Sequence, residues 1–306
     1  MILLCGIPSE SPLAMVATAL EARGADFRIF NQRKVAECRL DWEIIGGRID
    51  GTLVLGAETF ALHDFTSFYL RLMDDRILPE LKDEPEGSPA RRHTRAFHDA
   101  LFRWTELAPG RVVNRAEPQG SNGSKPYQAQ LIARYGFSVP ETLITNDPEC
   151  VREFHLRYGQ VIYKSISGVR SIVRQMDEDD LARLDQIRWC PVQFQAFVPG
   201  TNVRVHTIGG EAFATEIVSD VTDYRYARQQ GSTAELRGIE LPARVIERCI
   251  MLADGLGLAF AGIDLKLTPD GEVYCFEVNP CPAYSYFEAN TGQPIAQAVA
   301  RHLAGG

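Results

Sequence analysis

The sequence lacks any hydrophobic run long enough to span a membrane, and its first apolar stretch stops at Pro8, too early for a secretory signal. It also lacks a basic excess: 40 acidic residues against 32 lysines and arginines give a formal charge of -8, which argues against a nucleic-acid surface. The 7 cysteines are scattered singly without CxxC pairs, which argues against a disulfide framework and a zinc site. These absences predict a cytoplasmic protein with reduced thiols and no nucleic-acid or membrane partner.

Two frequent nucleotide-binding signatures are missing as well. No GxGxxG follows a predicted strand, and the segment GSNGSKPYQ around Lys125 lacks Walker spacing. Lys125 nevertheless stands where a Ser/Asn/Gly loop enters a predicted helix, and the amides at a helix start can bind phosphate. This segment therefore predicts a phosphate contact only if other segments of the chain also supply parts of a nucleotide site.

What the sequence does contain is an alternating α/β pattern. An apolar strand at 2–7, a helix capped by Ser11 that ends at Gly24, and a strand at 25–30 form the βαβ order of an open parallel sheet. The polar stretch KDEPEGSPARR then leads into a helix at 88–107, after which the texture of the sequence changes. For 306 residues we predict an N-terminal parallel-sheet domain at 1–110 and a second domain at 111–306.

The segments GIDLKL and VYCFEV flank the turn sequence Pro-Asp-Gly and predict an antiparallel hairpin. If the loop comprises the four residues 269–272, Thr268 pairs with Val273 and Asp264 lies directly opposite Glu277. A three-residue loop would shift the register by one, and the two carboxylates would then oppose each other only across a bulge. Either arrangement requires something to compensate two acidic groups in a sheet.

Magnesium is one candidate for that compensation. Glu277 and Asn279 are two residues apart in a strand and share a face, so their oxygens can converge with that of Asp264. Two carboxylates and an amide suit a hard cation such as Mg²⁺. The alternative is a salt bridge from Lys266, which lies on the same face as Asp264. The hairpin alone leaves both interpretations open.

Two further segments could belong to a nucleotide site. In VIYKSISG, Lys164 sits in an apolar strand, where an anion would compensate it, and a small flexible loop follows. In PVQFQAFVPGTNVRV, the backbone from Ala196 to Val198 could read the edge of adenine, and Arg204 could neutralise a phosphoryl group. The alternatives are a lysine that snorkels from a strand edge and a plain β-connection with a tight turn.

Taken in this order, the motifs resemble the ATP-grasp superfamily of carboxylate-amine ligases. From residue 114 to the C-terminus, the order of these motifs is most similar to that of RimK-like glutamate ligases and graspetide (microviridin-type) peptide macrocyclases. The resemblance implies that the second domain is a two-lobed α+β ATP-grasp domain, with a smaller lobe at about 120–198 and a C-terminal lobe at about 199–306. It also implies that the parallel-sheet segment is the pre-ATP-grasp domain.

The resemblance further implies roles for individual residues. The ATP contacts would come from Lys125, Lys164, Gln195, Ala196, Val198, Asn202 and, in the glycine-poor loop SISGVRS, Arg170. The magnesium ligands would be Asp264, Glu277 and Asn279 of the family's Asp...Glu-x-Asn signature. Arg204 and Lys164 would be catalytic, offsetting charge on the phosphates.

The implied reaction uses ATP and magnesium to convert a carboxylate into an acyl phosphate, from which an amine, or in graspetide enzymes a hydroxyl, displaces phosphate. The substrate would be a small molecule or a peptide, and candidate acceptor contacts are Arg225, Arg228, Tyr284 and Ser285. A solvated loop and helix packing are the alternatives for these residues. A noncatalytic nucleotide-binding module and a kinase remain alternative functions, and the oligomeric state, including a homo-oligomer, stays open.

Overall fold

A computed structural model describes residues 1–165, 173–218 and 235–305. The N-terminal region is built around a four-stranded parallel sheet in the order β2-β1-β6-β7. Its elements are β1 (Ile2–Gly6), α1 (Ser11–Ala22), β2 (Phe27–Asn31), β3 (Cys38–Ile45), β4 (Arg48–Leu55), β5 (Glu58–Ala61), β6 (Ser67–Arg71), α2 (Pro89–Leu107) and β7 (Arg111–Val113). Strand β1 is buried along its entire length, as expected for a central parallel strand. The predicted open parallel sheet is therefore confirmed.

Two details of this region differ from the sequence analysis. The N-cap of α1 is Glu10, and Ser11 is already the first helical residue. The chain between β2 and β6 forms a three-stranded antiparallel meander, β3-β4-β5, of which the sequence pattern predicts only the apolar run at 51–56 as a strand. The remainder of the meander alternates between charged and apolar residues, a pattern from which its strands are not predicted.

The next sheet is small and has the order β10-β9-β11-β8. The elements of this part are α3 (Lys125–Ala133), β8 (Thr142–Thr145), α4 (Pro148–Tyr158), β9 (Val161–Ser165), β10 (Arg174–Gln175), α5 (Glu178–Ala182) and β11 (Val192–Ala196). One face of the sheet packs into a hydrophobic core through residues such as Val161 and Phe194. Since side chains alternate along a strand, Lys164, Gln193 and Gln195 lie on the opposite face.

A five-stranded antiparallel sheet of order β14-β13-β12-β15-β16 completes the fold. Its elements are β12 (Thr201–Ile208), β13 (Glu211–Val218), β14 (Glu235–Ile239), α6 (Ala243–Gly255), β15 (Phe260–Leu267), β16 (Val273–Asn279), α7 (Ser285–Thr291) and α8 (Ile295–Ala304). Helix α6 covers one face of this sheet, with Cys249 and Leu252 in a core that includes Val203 and Ile263. A second core joins α8 to α1 of the N-terminal region.

The α/β fold class, with a parallel sheet followed by antiparallel sheets, is confirmed by this arrangement. The domain and lobe boundaries remain predictions. All 7 cysteines are free thiols. Within the described ranges, every helix is too short or too polar to cross a bilayer.

Candidate active site

The hairpin of β15 and β16 places the two acidic residues opposite each other, but not in the register expected for a four-residue loop. Leu267 pairs with Val273, and the chain reverses through a tight turn in which the Thr268 amide donates to the Glu272 carbonyl at 3.0 Å. The loop is therefore the three-residue one, and the pairing of Thr268 with Val273 is wrong. The physical reason is the positive φ of Gly271, which closes a shorter turn.

A β-bulge restores the opposition of the carboxylates. The register shifts between Leu265, which pairs with Cys275, and Asp264, which pairs with Glu277, so that Phe276 is the extra residue. The bulge was the second of the two arrangements that the sequence allowed. Asp264 and Glu277 are thus cross-strand partners.

Arg204 is the partner of Asp264. The two residues are paired across β12 and β15, and Arg204 Nη1 donates to Asp264 Oδ1 at 2.6 Å. The guanidinium is enclosed, since Arg204 is only 6% exposed and its Cζ lies 5.9 Å from the centroid of the Phe287 ring. Gly262 makes room for it, because a Cβ at that position would lie 2.3 Å from Arg204 Nη2. A buried arginine aimed at one carboxylate gives a fixed positive charge at the end of the hairpin.

Lys125 is the partner of Glu277, across 152 residues of sequence. Its ammonium group donates to Glu277 Oε1 and, at 3.3 Å, to Asn122 Oδ1. The fully buried Gln128, one turn further along α3, fixes this position: its Nε2 donates to the Val278 carbonyl at 2.8 Å and its Oε1 accepts from the Val278 amide at 3.0 Å. The sequence predicted Lys125 as a phosphate contact but gave no sign of its contact with Glu277.

The donor set at this hairpin fits magnesium. Two opposed carboxylates and the amide oxygen of Asn279, which in the protein alone accepts from the Cys281 amide at 3.0 Å, are hard oxygen donors. Among the described residues there is no cluster of three or more His, Cys, Asp or Glu side chains that could hold a metal. The amide would therefore have to complete the set. Both carboxylates already carry a cationic partner, as expected of a site that attracts positive charge.

Lys266 does not neutralise Asp264, so this part of the salt-bridge alternative is wrong. Its Nζ donates to the Val198 carbonyl at 3.0 Å and lies 5.1 Å from the centroid of the Phe197 ring. Burial lowers the pKa of Lys266. The lysine instead connects β15 to the segment that follows β11.

The strand β11 carries buried amide side chains next to this segment. Gln195 Nε2 donates to Thr142 Oγ1 at 3.0 Å. The Oε1 atoms of Gln195 and Gln193, residues that are 8% and 2% exposed, are buried without a hydrogen-bond partner in the described part of the protein. A buried unsatisfied acceptor costs about 1–3 kcal/mol, so both atoms call for a donor from outside the described protein. Gln193 was missed, although its spacing of two from Gln195 could have revealed it.

The other predicted nucleotide residues lie around this strand. Lys164 on β9 is half-buried and faces Gln193 across the strand pair. The amide of Ala196 donates to the Glu141 carbonyl at 3.0 Å, and Asn202 at the start of β12 is paired with Lys266. These residues lie at the junction of the small sheet and the five-stranded sheet.

The residues predicted to contact the acceptor are placed less favourably for such a contact than the predicted nucleotide residues are for theirs. Tyr284 is fully buried, and its hydroxyl donates to the Pro12 carbonyl at 2.6 Å, which corresponds to the packing alternative. Ser285 is half-buried at the first position of α7. Arg170, Arg225 and Arg228 lie outside the described residues.

The chain is similar to a known protein family and to individual members of it. A family model described as a RimK-like ATP-grasp domain matches residues 123–303, more than half of the chain. The alpha-aminoadipate–LysW ligase LysX of Sulfolobus acidocaldarius is 28% identical over 190 residues, which cover 56% of this chain and 66% of LysX. The match thus spans slightly less than two thirds of that relative.

Solved structures share the fold over the whole length. The ATP-grasp ligase PsnB, complexed with a phosphomimetic variant of its minimal precursor, Mg and ADP, superposes with a TM-score of 0.80 at 26% identity and covers 99% of this chain and 97% of PsnB. The macrocyclase MdnC of Microcystis aeruginosa, bound with its precursor peptide MdnA, gives a TM-score of 0.79 at 21% identity, with 100% and 99% coverage. The predicted resemblance is confirmed: the chain belongs to the RimK-like ATP-grasp family of ligases.

Proposed function

We propose that this protein uses ATP to convert a carboxylate into an acyl phosphate and then joins it to an amine, releasing ADP and phosphate. The observation that carries the proposal is the paired acidic site at the end of the β15–β16 hairpin. There Asp264 and Glu277 oppose each other, and each is held by a cation from a different part of the chain, Arg204 and Lys125. Such a site handles the charge of a polyphosphate together with its metal.

The base of the nucleotide would bind at β11. Adenine presents an exocyclic amine with two N–H donors, and the buried Oε1 atoms of Gln195 and Gln193 are acceptors without a partner in the described part of the protein. The backbone from Ala196 to Val198 would contact the ring edge, and Asn202 would lie at the ribose. Satisfying the buried acceptors supplies part of the binding free energy.

The phosphates would extend from there toward the hairpin. Lys164 would contact the α and β phosphates from β9, and Lys125 would exchange its contact with Glu277 for a phosphate oxygen. Asp264, Glu277 and Asn279 would hold magnesium, which when bound would supply positive charge against that of the phosphates. Freed from Lys125, Glu277 would then offer its oxygens to the cation.

Arg204 would stabilise the transferred phosphoryl group. A substrate carboxylate oxygen attacks the γ-phosphorus, the new P–O bond forms as the bond to the β-phosphate oxygen breaks, and ADP leaves. The acceptor, once its ammonium group has lost a proton to solvent, attacks the acyl carbon; the C–N bond forms, a second proton leaves the nitrogen, and phosphate departs with the electron pair of the C–O bond. The enclosed guanidinium of Arg204 stays fixed throughout, so no reorganisation is required as charge develops.

The substrates would be a peptide or an amino acid. PsnB and MdnC were solved with precursor peptides, and LysX is named for an amino-acid substrate and the protein LysW. These substrates of similar proteins support a carboxylate donor and an amine acceptor for the present chain.

The test is incubation with ATP and Mg²⁺ against pooled amino acids, peptides and small carboxylates, with nucleotide and product masses measured together. We expect ADP and phosphate only with particular pools, and a product lighter by one water than its two substrates. A phosphorylated product would establish a kinase, and ATP binding without ADP formation in any pool would indicate a noncatalytic module. Either result would overturn the proposal.

A matched pair of variants links the activity to the site. Asp264→Asn removes the charge that Arg204 and a metal would share, and should abolish ADP formation. Asp270→Asn changes an exposed aspartate in the turn of the same hairpin and should leave turnover at the wild-type level.

A further inference from the structure

The parallel sheet has a topological switch point that faces the candidate active site. From β1 the chain crosses through α1 to β2 on one side, while β6 lies on the other side, so the chain departs in opposite directions from the β1–β6 boundary. Ligands of open α/β sheets bind in the crevice beyond the carboxyl ends of such strands. The two strand ends approach closely here, since a Cβ on Gly6 would lie 2.7 Å from the Arg71 carbonyl oxygen.

This crevice contains a partly buried ion pair. Arg71, the last residue of β6, donates to Glu10 from Nε at 3.1 Å to Oε1 and 3.2 Å to Oε2, and from Nη2 at 2.6 Å to Oε1. Glu10 is the N-cap of α1, where the helix start favours a carboxylate. Two chain segments that both leave the carboxyl end of the sheet thus fix one carboxylate in position.

The same arginine contacts the segment that follows β16. Arg71 Nη1 donates to the Pro282 carbonyl at 3.1 Å and contacts Cys281 Sγ at 3.3 Å. The Cys281 amide in turn donates to Asn279 Oδ1 at 3.0 Å. Glu10 is therefore connected to Asn279 through three successive contacts, and the crevice adjoins the place where the acyl phosphate would form.

Of the two charged side chains in this ion pair, the carboxylate is the more exposed. The side chain of Arg71 is 7% exposed, whereas that of Glu10 is 34% exposed. Arg71 therefore offers no open face to an anion, while the Glu10 carboxylate remains accessible to a cation. The proposed reaction requires a substrate amine, which is an ammonium ion before it reacts.

We propose that Glu10 binds the ammonium group of the amine acceptor, and that Arg71 positions the Glu10 carboxylate for this contact. This inference rests on the proposed ligase function and adds the site of the second substrate. It requires that loss of the Glu10 charge weakens acceptor binding and leaves carboxylate activation intact.

Trapping with hydroxylamine separates these two requirements. Hydroxylamine is mostly uncharged at neutral pH and captures an acyl phosphate as a hydroxamate without needing an ammonium site. The wild-type protein is first given Mg²⁺, ATP, the carboxylate pool and either hydroxylamine or a panel of amines comprising the amino acids and lysine-containing peptides. Hydroxamate yield and the Michaelis constant for the best amine of the panel are then measured for Glu10→Gln, Glu10→Asp and the control Glu21→Gln, which lies exposed near the other end of α1.

We expect Glu10→Gln to raise the Michaelis constant for the amine by about 10- to 100-fold, since a hydrogen bond between charged groups is lost, with an unchanged hydroxamate yield. Glu10→Asp should give an intermediate value, and Glu21→Gln none of this effect. An unchanged Michaelis constant, or an equal loss of hydroxamate and amide, would overturn the inference, the latter by making the ion pair a structural clamp only. A wild-type protein that forms no hydroxamate with any carboxylate would overturn the proposed function itself.

Discussion

Replacing Gly262 with alanine is expected to displace the Arg204 guanidinium and to impair turnover without unfolding the protein. The new Cβ would lie 2.3 Å from Nη2 and 2.6 Å from Cζ of Arg204. Carbon and nitrogen atoms pack at roughly 3.5 Å, so the guanidinium must move by about 1 Å away from β15. Gly262 has no left-handed backbone conformation, and the strand itself should accept alanine.

That displacement determines the size of the effect. The bond from Arg204 Nη1 to Asp264 Oδ1 measures 2.6 Å, and stretching it by about 1 Å exceeds the usual range of an N–H···O hydrogen bond. A hydrogen bond between charged groups contributes about 1.5–3 kcal/mol. We therefore expect kcat to fall by about 10- to 100-fold, because the guanidinium would no longer lie where the phosphoryl group is transferred.

The assay is ADP release with the substrate pair found for the wild-type protein, together with thermal unfolding of both proteins. Gly238→Ala is the matched control, since Gly238 lies in the same sheet and its Cβ would meet only the Gln293 side chain, at 3.4 Å or more. A folded Gly262→Ala protein with wild-type kcat would refute the reasoning that Arg204 must occupy its present position.

Three further changes test other parts of the site. Glu277→Gln should lower kcat by at least about 100-fold while the melting temperature stays close to that of the wild-type protein, and retained activity would remove Glu277 from the metal site. Gln195→Leu should raise the Michaelis constant for ATP by about tenfold with little change in kcat, and an unchanged constant would place adenine elsewhere. Burial and the nearby Arg204 lower the pKa of His206 well below 6.5, so only the unfolded chain takes up this proton as the pH falls. The free energy of unfolding of the wild-type protein should therefore fall by about 1.4 kcal/mol per pH unit below pH 6.5, relative to His206→Leu in urea titrations; parallel pH profiles would contradict a neutral buried imidazole.

Local patterns were sufficient to predict most of the β-strands and helices around the site. The two strands of the β15–β16 hairpin are apolar runs that flank turn residues, and their limits agree with the sequence expectation to within two residues. The opposition of Asp264 and Glu277 was also predictable, although the choice between loop lengths was not. That choice depends on whether Phe276 can be accommodated as an extra residue, which is a matter of packing on both faces of the sheet.

Contacts between distant segments could not be predicted in the same way. The partners Lys125 and Glu277 are 152 residues apart, and Glu10 and Arg71 are 61 residues apart. Each residue considered alone reads as an ordinary surface charge, because the pattern of one segment holds no information about which other segment lies against it. Only the packing of α3 against β16, and of α1 against the parallel sheet, brings these charges together.

The bulge at Phe276 also affects which changes of length the hairpin can tolerate. With the same three-residue loop and no bulge, Asp264 and Glu277 would oppose each other with one residue fewer between them, so one residue deleted between Gly271 and Glu277 could be accommodated by flattening the bulge. The strand pair therefore contains one extra residue, Phe276, located between the turn and the acidic pair. Related chains could lack this residue, or carry it in a four-residue turn in place of the bulge, while the two carboxylates stay opposite each other.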